Sequence, residues 1–179
     1  MSRPLLILDL DETLIYGTER ELPFAPDFRA AQYFVYRRPY LHAFLDYCFA
    51  EFDVAVWTSA SRTYAAEVVA QIFGERPLRF FWSSERVTQR VNLQTYEQYT
   101  VEDLRTVRKC GFPLEQVLMV DDSPEKLERN YGNHIRIAPF EGDPSDAELP
   151  HLANYLRSIR DAPNRIIEKR NWRTTASAA

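Results

Sequence analysis

Three polar segments hold the residues of this chain that could do chemistry, and each follows a short apolar run. They are residues 9–13 (DLDET), 58–61 (TSAS) and 121–124 (DDSP). If they meet at one edge of a sheet, four aspartates converge there and repel one another unless a cation or protons neutralise them. Cysteine and histidine are absent from the segments, so the ligands would all be oxygens. Such a set favours a hard cation, most of all magnesium.

The first segment carries two carboxylates at a spacing of two, Asp9 and Asp11. One of them could attack as a nucleophile while the other handles a proton. In the second segment, the hydroxyl of Thr58 and the backbone N–H groups after it could hold an anion. A phosphoryl group fits best, because a bound metal and N–H donors at the start of a helix both suit it.

Each segment also has a simpler interpretation as a helix start. Ser123 would be an N-cap with Pro124 at the first helical position, and residues 58–61 are equally good capping residues. A calcium loop over residues 9–20 is excluded, because Leu14 stands where glycine is needed and Arg20 where a bidentate glutamate should be. The repeated order, apolar run and then polar segment, favours a shared site over three unrelated caps.

The elements that must position these residues form an alternating pattern. Residues 5–8, 54–57 and 117–120 are four-residue apolar runs, typical of strands buried on both faces of a parallel sheet. Helical periodicity marks the segments 40–52, 62–73, 100–109 and 146–160. The pattern predicts an α/β fold, a doubly wound parallel sheet with right-handed crossovers, whose ligands bind beyond the carboxyl ends of the strands.

Residues 16–38 interrupt this pattern. The segment contains Pro23 and Pro26 and then the β-rich run 32–36. We interpret it as a small β flap inserted after the first strand.

The remaining segments complete a single predicted domain over residues 1–173. Residues 83–99 are expected to be a polar connection, and residues 164–173 a basic end. The last six residues, 174–179, are expected to be a disordered tail.

Composition excludes several function classes. The 179 residues include 22 basic and 26 acidic ones, a net charge of −4, and only five glycines. No two glycines lie close enough for a glycine-rich phosphate cradle, and no basic stripe suggests nucleic acid. Two distant cysteines and three histidines make a zinc site improbable. With no targeting or membrane-spanning run, we expect a cytoplasmic protein without a membrane partner. The oligomeric state is not indicated.

Taken together, the motifs resemble the haloacid-dehalogenase superfamily. Residues 9–15 (DLDETLI) match its first motif, D-x-D-x-T-[LV]. More narrowly, Arg38-Pro39 before a helix, residues 57–60 (WTSA) and residues 120–124 (VDDSP) resemble the small phosphatases that act on the RNA polymerase C-terminal domain. The resemblance covers residues 4 to 173, and it implies the Rossmann-like fold of that superfamily.

The resemblance implies roles for the first motif. Asp9 would be the nucleophile that forms an aspartyl-phosphate and would also bind magnesium. Asp11 would protonate the leaving group and then activate water, and its backbone carbonyl would touch the metal. Thr13 would support the loop and the phosphate site.

It also implies roles for the other two motifs. Thr58, with Ser59 beside it, would bind the transferring phosphoryl group. Asp122 would be a metal ligand, and Asp121 would share that task or hold the surrounding shell. Magnesium would neutralise charge on the phosphoryl oxygens.

One position departs from the family pattern. A lysine usually begins a K-D-L sequence before the last motif, whereas this chain has Glu102-Asp103-Leu104. That lysine would pair with the nucleophile, so a glutamate there puts catalysis in doubt. Three other cations could replace it: Lys126, Arg105 or Arg90.

Two functions follow as the main alternatives, and phosphoryl transfer to an acceptor other than water is a weaker third. The first is a magnesium-dependent phosphomonoesterase without a cap domain, open to phosphoserine or phosphothreonine in proteins in preference to a phosphorylated small molecule. Aromatic residues of the flap, such as Tyr33 and Phe34, would contact the residues that flank the phosphate. The second is a catalytically impaired scaffold that binds phosphorylated ligands, because Glu102 replaces the expected lysine.

Overall fold

The protein is an α/β structure in which a parallel sheet carries short insertions. The computed structural model describes residues 3–91, 96, 98–162, 164, 166, 169, 172 and 173. Within them the strands are β1 (Leu5–Leu8), β2 (Ile15–Thr18), β3 (Phe28–Ala30), β4 (Tyr33–Arg37), β5 (Asp53–Trp57), β6 (Phe81–Trp82), β7 (Thr88–Val91), β8 (Gln98–Val101), β9 (Val117–Asp121) and β10 (His134–Arg136). The α-helices are α1 (Leu41–Glu51), α2 (Arg62–Phe73) and α3 (Glu148–Ser158).

The main sheet has the strand order β10-β9-β1-β5-β6, and all of its pairs are parallel. The chain runs from β1 outwards to β5 and β6, and then crosses to β9 and β10 on the other side of β1. The order therefore reverses beside β1, which is where ligands bind in open α/β sheets. The predicted α/β fold is confirmed, and it brings the ends of β1, β5 and β9 together.

Both faces of the sheet are covered, which explains the apolar runs. One face packs under α1, α2 and α3, whose inward residues include Phe44, Val68 and Leu152. The opposite face packs against Leu104 and Val107 of a 3₁₀ helix, Leu104–Cys110. Successive strand residues point to opposite faces, so four consecutive apolar residues are needed when both faces are buried. None of the described helices is long and apolar enough to span a bilayer.

The prediction of one helix over residues 100–109 is wrong, because this segment contains the end of a strand and then a 3₁₀ helix. Residues 98–101 pair with β7 in a hairpin, and only the following residues coil, as a 3₁₀ helix. The backbone N–H of Glu102 donates to the carbonyl of Lys126 at 2.7 Å. This non-local pairing keeps the chain extended, and apolar spacing alone does not reveal it. The predicted polar connection likewise contains β7, although residues 92–95 and 97 lie outside the described residues.

The inserted segment is a three-stranded antiparallel sheet in the order β2-β4-β3. At the far end of the chain, the indole Nε1 of Trp172 donates to the carbonyl of Arg136 at 2.7 Å, and its ring lies 5.6 Å from that of Tyr155. The basic end is thus in contact with the sheet at this residue. The tail predicted to be disordered, residues 174–179, lies outside the described residues.

A buried arginine connects the insertion to the loop after β1. Arg38 follows β4 and is 1% exposed. Its Nε and Nη2 donate to the two carboxylate oxygens of Asp146 at 2.8 and 2.7 Å, and its Nη1 donates to the carbonyl of Thr13 at 3.0 Å. A bidentate pair of this kind is both strong and directional. It fixes the end of the segment that contains Asp9 and Asp11.

We expect Arg38→Met to lower the free energy of unfolding by about 3 kcal/mol, because it leaves Asp146 without its partner and Thr13 without its donor. Denaturant unfolding measures the loss. The matched control is Arg37→Met, since the neighbouring arginine pairs with Asp27 at 3.4 Å near the surface. That variant should lose less than about 1 kcal/mol. Equal losses in the two variants would contradict the anchoring role.

Candidate active site

Asp9 stands at the carboxyl end of β1 and is paired with a lysine. Its backbone N–H donates to the carbonyl of Val120 at 3.1 Å, which continues the ladder between β1 and β9. The ammonium of Lys126 lies 2.9 Å from Asp9 Oδ2 and 3.2 Å from Asp121 Oδ2. Lys126 sits on the 3₁₀ helix Pro124–Leu127, directly after the polar segment that ends β9. This short helix places the Lys126 side chain next to the end of β1.

The charges of this cluster depend on one another. Burial lowers the pKa of the Lys126 ammonium, and the carboxylates of Asp9, Asp121 and Glu102 raise it by more, so this pKa lies above its usual value. Burial and then the charge of Asp9 hold the pKa of Asp121 well above the ordinary range. Lys126 therefore keeps its positive charge over the whole physiological range and neutralises part of the aspartate cluster.

Glu102, the residue that departs from the family pattern, is buried beside this cluster. Neither carboxyl oxygen has a hydrogen-bond partner in the described part of the chain. Burial, followed by the charge of Asp9, raises the pKa of Glu102 to about 8, with Lys126 acting in the opposite direction. The group is consequently neutral for the most part at pH 7. A neutral carboxyl does not repel Asp9, so its cost to the site is far smaller than the sequence alone suggests.

Three carboxylates offer a site for a cation. Single ligand oxygens of Asp9, Asp121 and Asp122 all lie within 4.8 Å of one another. Asp9 Oδ1 is buried and has no hydrogen-bond partner among the described residues. An unpartnered carboxylate oxygen next to two further carboxylates fits a hard divalent cation such as magnesium. The carboxylate of Asp11 is not in this cluster, and the contact predicted for Asp11 is through its backbone carbonyl.

Asp11 instead engages a residue of helix α2. The hydroxyl of Tyr64 donates to Asp11 Oδ1 at 2.6 Å. Burial raises the pKa of Asp11 to about 6, the Tyr64 hydrogen bond opposes the shift, and the charge of Asp9 adds to it. A carboxyl group with a pKa near 6 is suited to giving and taking a proton near neutral pH.

The loop after β1 is held by its own backbone. Glu12 adopts a left-handed conformation with φ 59°, and its carbonyl accepts from the N–H of Phe140 at 2.7 Å. The N–H groups of Thr13 and Leu14 both return to the carbonyl of Leu10, at 3.2 and 2.8 Å. This turn separates Asp9 from Asp11 in direction, so the two carboxylates face different partners.

A cavity of about 290 Å³ opens onto these groups. It is lined by Asp9, Asp11, Glu12, Thr58, Ser59, Ala60, Asp122, Ser123 and Lys126. Thr58 is 1% exposed, and its Oγ1 accepts from the N–H of Ala60 at 3.3 Å. Thr58 and Ser59 of the second polar segment and Asp122 of the third thus meet the two aspartates of the first around one space.

Four predicted site residues do not line this cavity. Asp121 is fully buried and contacts Lys126 behind it. Thr13 is fully buried beneath the loop. Arg105 lies on the surface, where its side chain donates to Asp103. The charge of Arg90 also acts on Asp103. Of the three replacement cations considered from the sequence, only Lys126 reaches Asp9.

Tyr64 was not predicted as a site residue, although its position in the helix that directly follows the second polar segment was visible in the sequence. It lies one helical turn before Val68 on the buried face of α2. A tyrosine on an apolar stripe usually belongs to the core, and its hydroxyl finds a partner only through tertiary contact. Glu12 and Ser123 line the cavity but were not predicted as site residues, although each lies next to predicted residues in its polar segment.

Comparisons with known proteins decide the family. A family model described as NLI interacting factor-like phosphatase matches residues 4–166. The chain belongs to this family. It is consequently an FCP/SCP-like phosphatase of the haloacid-dehalogenase type, a phosphoric monoester hydrolase, as the sequence resemblance predicted.

Individual relatives of this NLI interacting factor-like phosphatase agree. It is 31% identical to the CTD phosphatase-like protein 355R of Invertebrate iridescent virus 6, over 89% of this chain and 97% of the viral protein. It is 28% identical to the CTD nuclear envelope phosphatase 1 homolog of Drosophila melanogaster, over 89% of this chain and 69% of the fly protein. Nuclear envelope morphology protein 1 of Saccharomyces cerevisiae is 26% identical, over 87% of this chain but only 39% of the yeast protein.

A solved structure supports the fold. Fcp1, described as an essential RNA polymerase II CTD phosphatase, superposes with a TM-score of 0.60 at 18% identity, covering 98% of this chain and 62% of that one. At this level of identity the likeness establishes the architecture alone.

Two sequence-based hypotheses need correction. The cytoplasmic location is wrong, because relatives from yeasts, flies and frog are named for the nuclear envelope. The prediction of the location rested on overall composition. Composition does not determine location, because domains of one fold can serve in different parts of the cell. The impaired-scaffold alternative is not favoured, because it assumed that Glu102 left the site without a cation, whereas Lys126 lies 2.9 Å from Asp9.

The raised pKa of Glu102 predicts a pH effect on stability. In the unfolded chain its pKa returns to 4.5. Between these values the unfolded state releases a proton that the folded state keeps, so stability falls as pH rises. In metal-free buffer, wild type should lose up to about 1.4 kcal/mol per pH unit between pH 5 and 8 relative to Glu102→Gln.

Denaturant unfolding at several pH values measures this difference. Glu115→Gln, at an exposed position, is the control and should follow wild type at every pH. Parallel curves for wild type and Glu102→Gln would mean that Glu102 is ionised throughout, contrary to the prediction.

Proposed function

We propose that this phosphatase is a magnesium-dependent phosphomonoesterase that acts through an aspartyl-phosphate on Asp9. One observation carries the proposal. A buried aspartate at the carboxyl end of β1 has one oxygen 2.9 Å from a lysine and the other without a partner, beside two further carboxylates and an open cavity. This arrangement supports Asp9 as the nucleophile, Lys126 as the charge-neutralising cation and the carboxylate cluster as the metal-ligand set.

Two steps follow from these positions. In the first, an oxygen of Asp9 attacks phosphorus, the ester P–O bond breaks, and the leaving oxygen takes a proton from Asp11. In the second, water attacks the aspartyl-phosphate, Asp11 takes the proton of that water, and inorganic phosphate leaves with Asp9 regenerated. Asp11 is thus first acid and then base, which a pKa of about 6 permits.

Asp9, Asp122 and Asp121 would hold the magnesium ion, which would supply charge neutralisation and orientation of the phosphoryl oxygens. Lys126 would neutralise negative charge on the same group from the side of β9. Thr58 and Ser59, at the end of β5, would donate hydrogen bonds to the phosphoryl oxygens. Thr13 would support the loop from beneath and would not touch the phosphate.

We further propose a phosphoserine or phosphothreonine residue in a protein as the substrate. The names of several relatives refer to the CTD, and the name of Fcp1 to the RNA polymerase II CTD. In this chain a second cavity of about 540 Å³ adjoins Asp11, between the inserted sheet and α2, and Tyr33 is among its lining residues. That space could take residues on either side of a phosphorylated side chain, which a small metabolite would leave empty.

The activity is tested with p-nitrophenyl phosphate and with a phosphoserine peptide. Wild type should hydrolyse both with magnesium and neither with excess EDTA. Asp9→Asn and Asp11→Asn should each lose activity by more than about a thousandfold. Acid quenching of the wild-type reaction should trap a phosphoenzyme that hydroxylamine cleaves, and Asp9→Asn should trap none. Activity surviving in Asp9→Asn would overturn the mechanism.

The position of Lys126 gives a second test. Lys126→Met should reduce kcat by about a hundredfold or more, because it removes the cation beside the nucleophile. The control is Lys109→Met, which changes an exposed lysine and should leave kcat unchanged. Circular dichroism and a thermal melt of Lys126→Met identify a variant that has simply unfolded.

A double variant moves the charge back to the family position. Lys126→Met combined with Glu102→Lys should recover at least about tenfold over Lys126→Met alone, since the two side chains approach Asp9 from neighbouring positions. Lys126→Arg keeps the charge and should retain more activity than Lys126→Met. If Lys126→Met is folded and fully active, Lys126 is not the cation of the site.

A further inference from the structure

Tyr64 makes a contact with Asp11 that the two-step mechanism does not use. Tyr64 lies in the first turn of α2, is 7% exposed and is among the residues that line the cavity of about 540 Å³. The hydroxyl donates to Asp11 Oδ1 at 2.6 Å. Within the described residues no hydrogen bond reaches Asp11 Oδ2. A tyrosine hydroxyl has a single proton to donate, so this bond distinguishes the two oxygens of the carboxyl group.

Gly17 provides the space for this contact. It lies on β2, across from α2, and any Cβ there would overlap the hydroxyl oxygen of Tyr64 and stand 3.1 Å from Asp11 Oδ1. The ring of Tyr33 packs edge-on against that of Tyr64, with centroids 5.1 Å apart. Thus the inserted sheet leaves room for the hydroxyl and restrains the ring.

We propose that Tyr64 is a positioning residue that fixes the Asp11 carboxyl group, with Oδ1 as the anchored oxygen and Oδ2 as the oxygen that carries the transferable proton. The inference rests on the proposed function. Because Oδ1 already accepts a hydrogen bond, the neutral carboxyl keeps its proton on Oδ2. From Oδ2 the proton passes to the ester oxygen as the P–O bond breaks, and Oδ2 recovers a proton from water in the second step.

This role predicts a dependence on the leaving group. A poor leaving group needs the proton as its bond breaks, whereas a good one departs with little help. The value of kcat/KM reports the steps up to cleavage of the ester bond, so it isolates the step in which Asp11 is the acid. Phenyl phosphate and p-nitrophenyl phosphate differ in leaving-group ability with little change in size.

The test compares Tyr64→Phe with wild type on these two substrates in the presence of magnesium. We expect kcat/KM for phenyl phosphate to fall by about ten- to a hundredfold, and for p-nitrophenyl phosphate by less than about threefold. KM for phenyl phosphate should stay within about twofold, because the phosphoryl group would be held in the cavity around Asp9, which Tyr64 does not line. Tyr64 lines the second cavity, proposed for the residues that flank the phosphate in a protein, and phenyl phosphate lacks such residues. Tyr155→Phe, a similarly buried tyrosine on α3, is the control and should match wild type.

A second variant reaches the same contact from the other side. Gly17→Ala should displace the Tyr64 hydroxyl and produce the same preference for p-nitrophenyl phosphate. The loss of kcat/KM caused by Gly17→Ala should be smaller in a Tyr64→Phe background, because the hydroxyl oxygen that the new Cβ would overlap is then absent. The pair Tyr64→Phe and Asp11→Asn should be strongly non-additive, because the first acts only through the second.

The outcomes separate this inference from the proposed function. Failure of wild type to hydrolyse either substrate would remove the proposed function itself. Active wild type and inactive Asp11→Asn, with Tyr64→Phe equal to wild type on both substrates, would overturn the role of Tyr64 alone. An equal loss on both substrates would show a general structural effect and would also overturn it.

Discussion

The buried contact between Lys126 and the carboxylates of Asp9 and Asp121 is the interaction on which the site depends. Parallel strands bring aspartates to one edge, and that arrangement is unstable without positive charge. Lys126 supplies part of the neutralising positive charge. The Asp9 oxygen that has no hydrogen-bond partner among the described residues could bind a metal ion, which would supply the rest. Glu102 is compatible with the cluster because its raised pKa keeps it neutral. The balance of charge, rather than any one residue, is what would make the buried Asp9 available as the proposed nucleophile.

The second requirement is a rigid loop between Asp9 and Asp11. The loop is held by a left-handed turn at Glu12, by the hydrogen bond from Phe140 to the Glu12 carbonyl and by the hydrogen bond from Arg38 to the Thr13 carbonyl. Rigidity matters because the proposed mechanism gives the two carboxylates different tasks, which require different partners. One faces Lys126 and the metal-ligand cluster, and the other faces Tyr64. Different partners of this kind would let Asp11 act as an acid although the proposed nucleophile is only two residues away.

Family membership and local geometry answer different questions here. The match over residues 4–166 and the resemblance to Fcp1 establish a phosphatase family and its fold. They do not explain how a chain with glutamate in the usual lysine position keeps a cation at Asp9. The structure does so, with Lys126 approaching from the turn after β9. A positive charge can thus stand beside Asp9 although the lysine that carries it occupies a different position in the chain.

By itself the sequence determined the sheet and the three polar segments at its edge, because burial on both faces demands the apolar runs at 5–8, 54–57 and 117–120. It also determined the aspartates, which sit directly after those runs. Only the tertiary structure decided the partners: Lys126 is 117 positions from Asp9, Arg38 is 108 from Asp146, and Tyr64 is 53 from Asp11. Local periodicity records which face of an element is buried. It does not record which distant side chain that face will meet, and the 3₁₀ segment after β8 was mispredicted for the same reason.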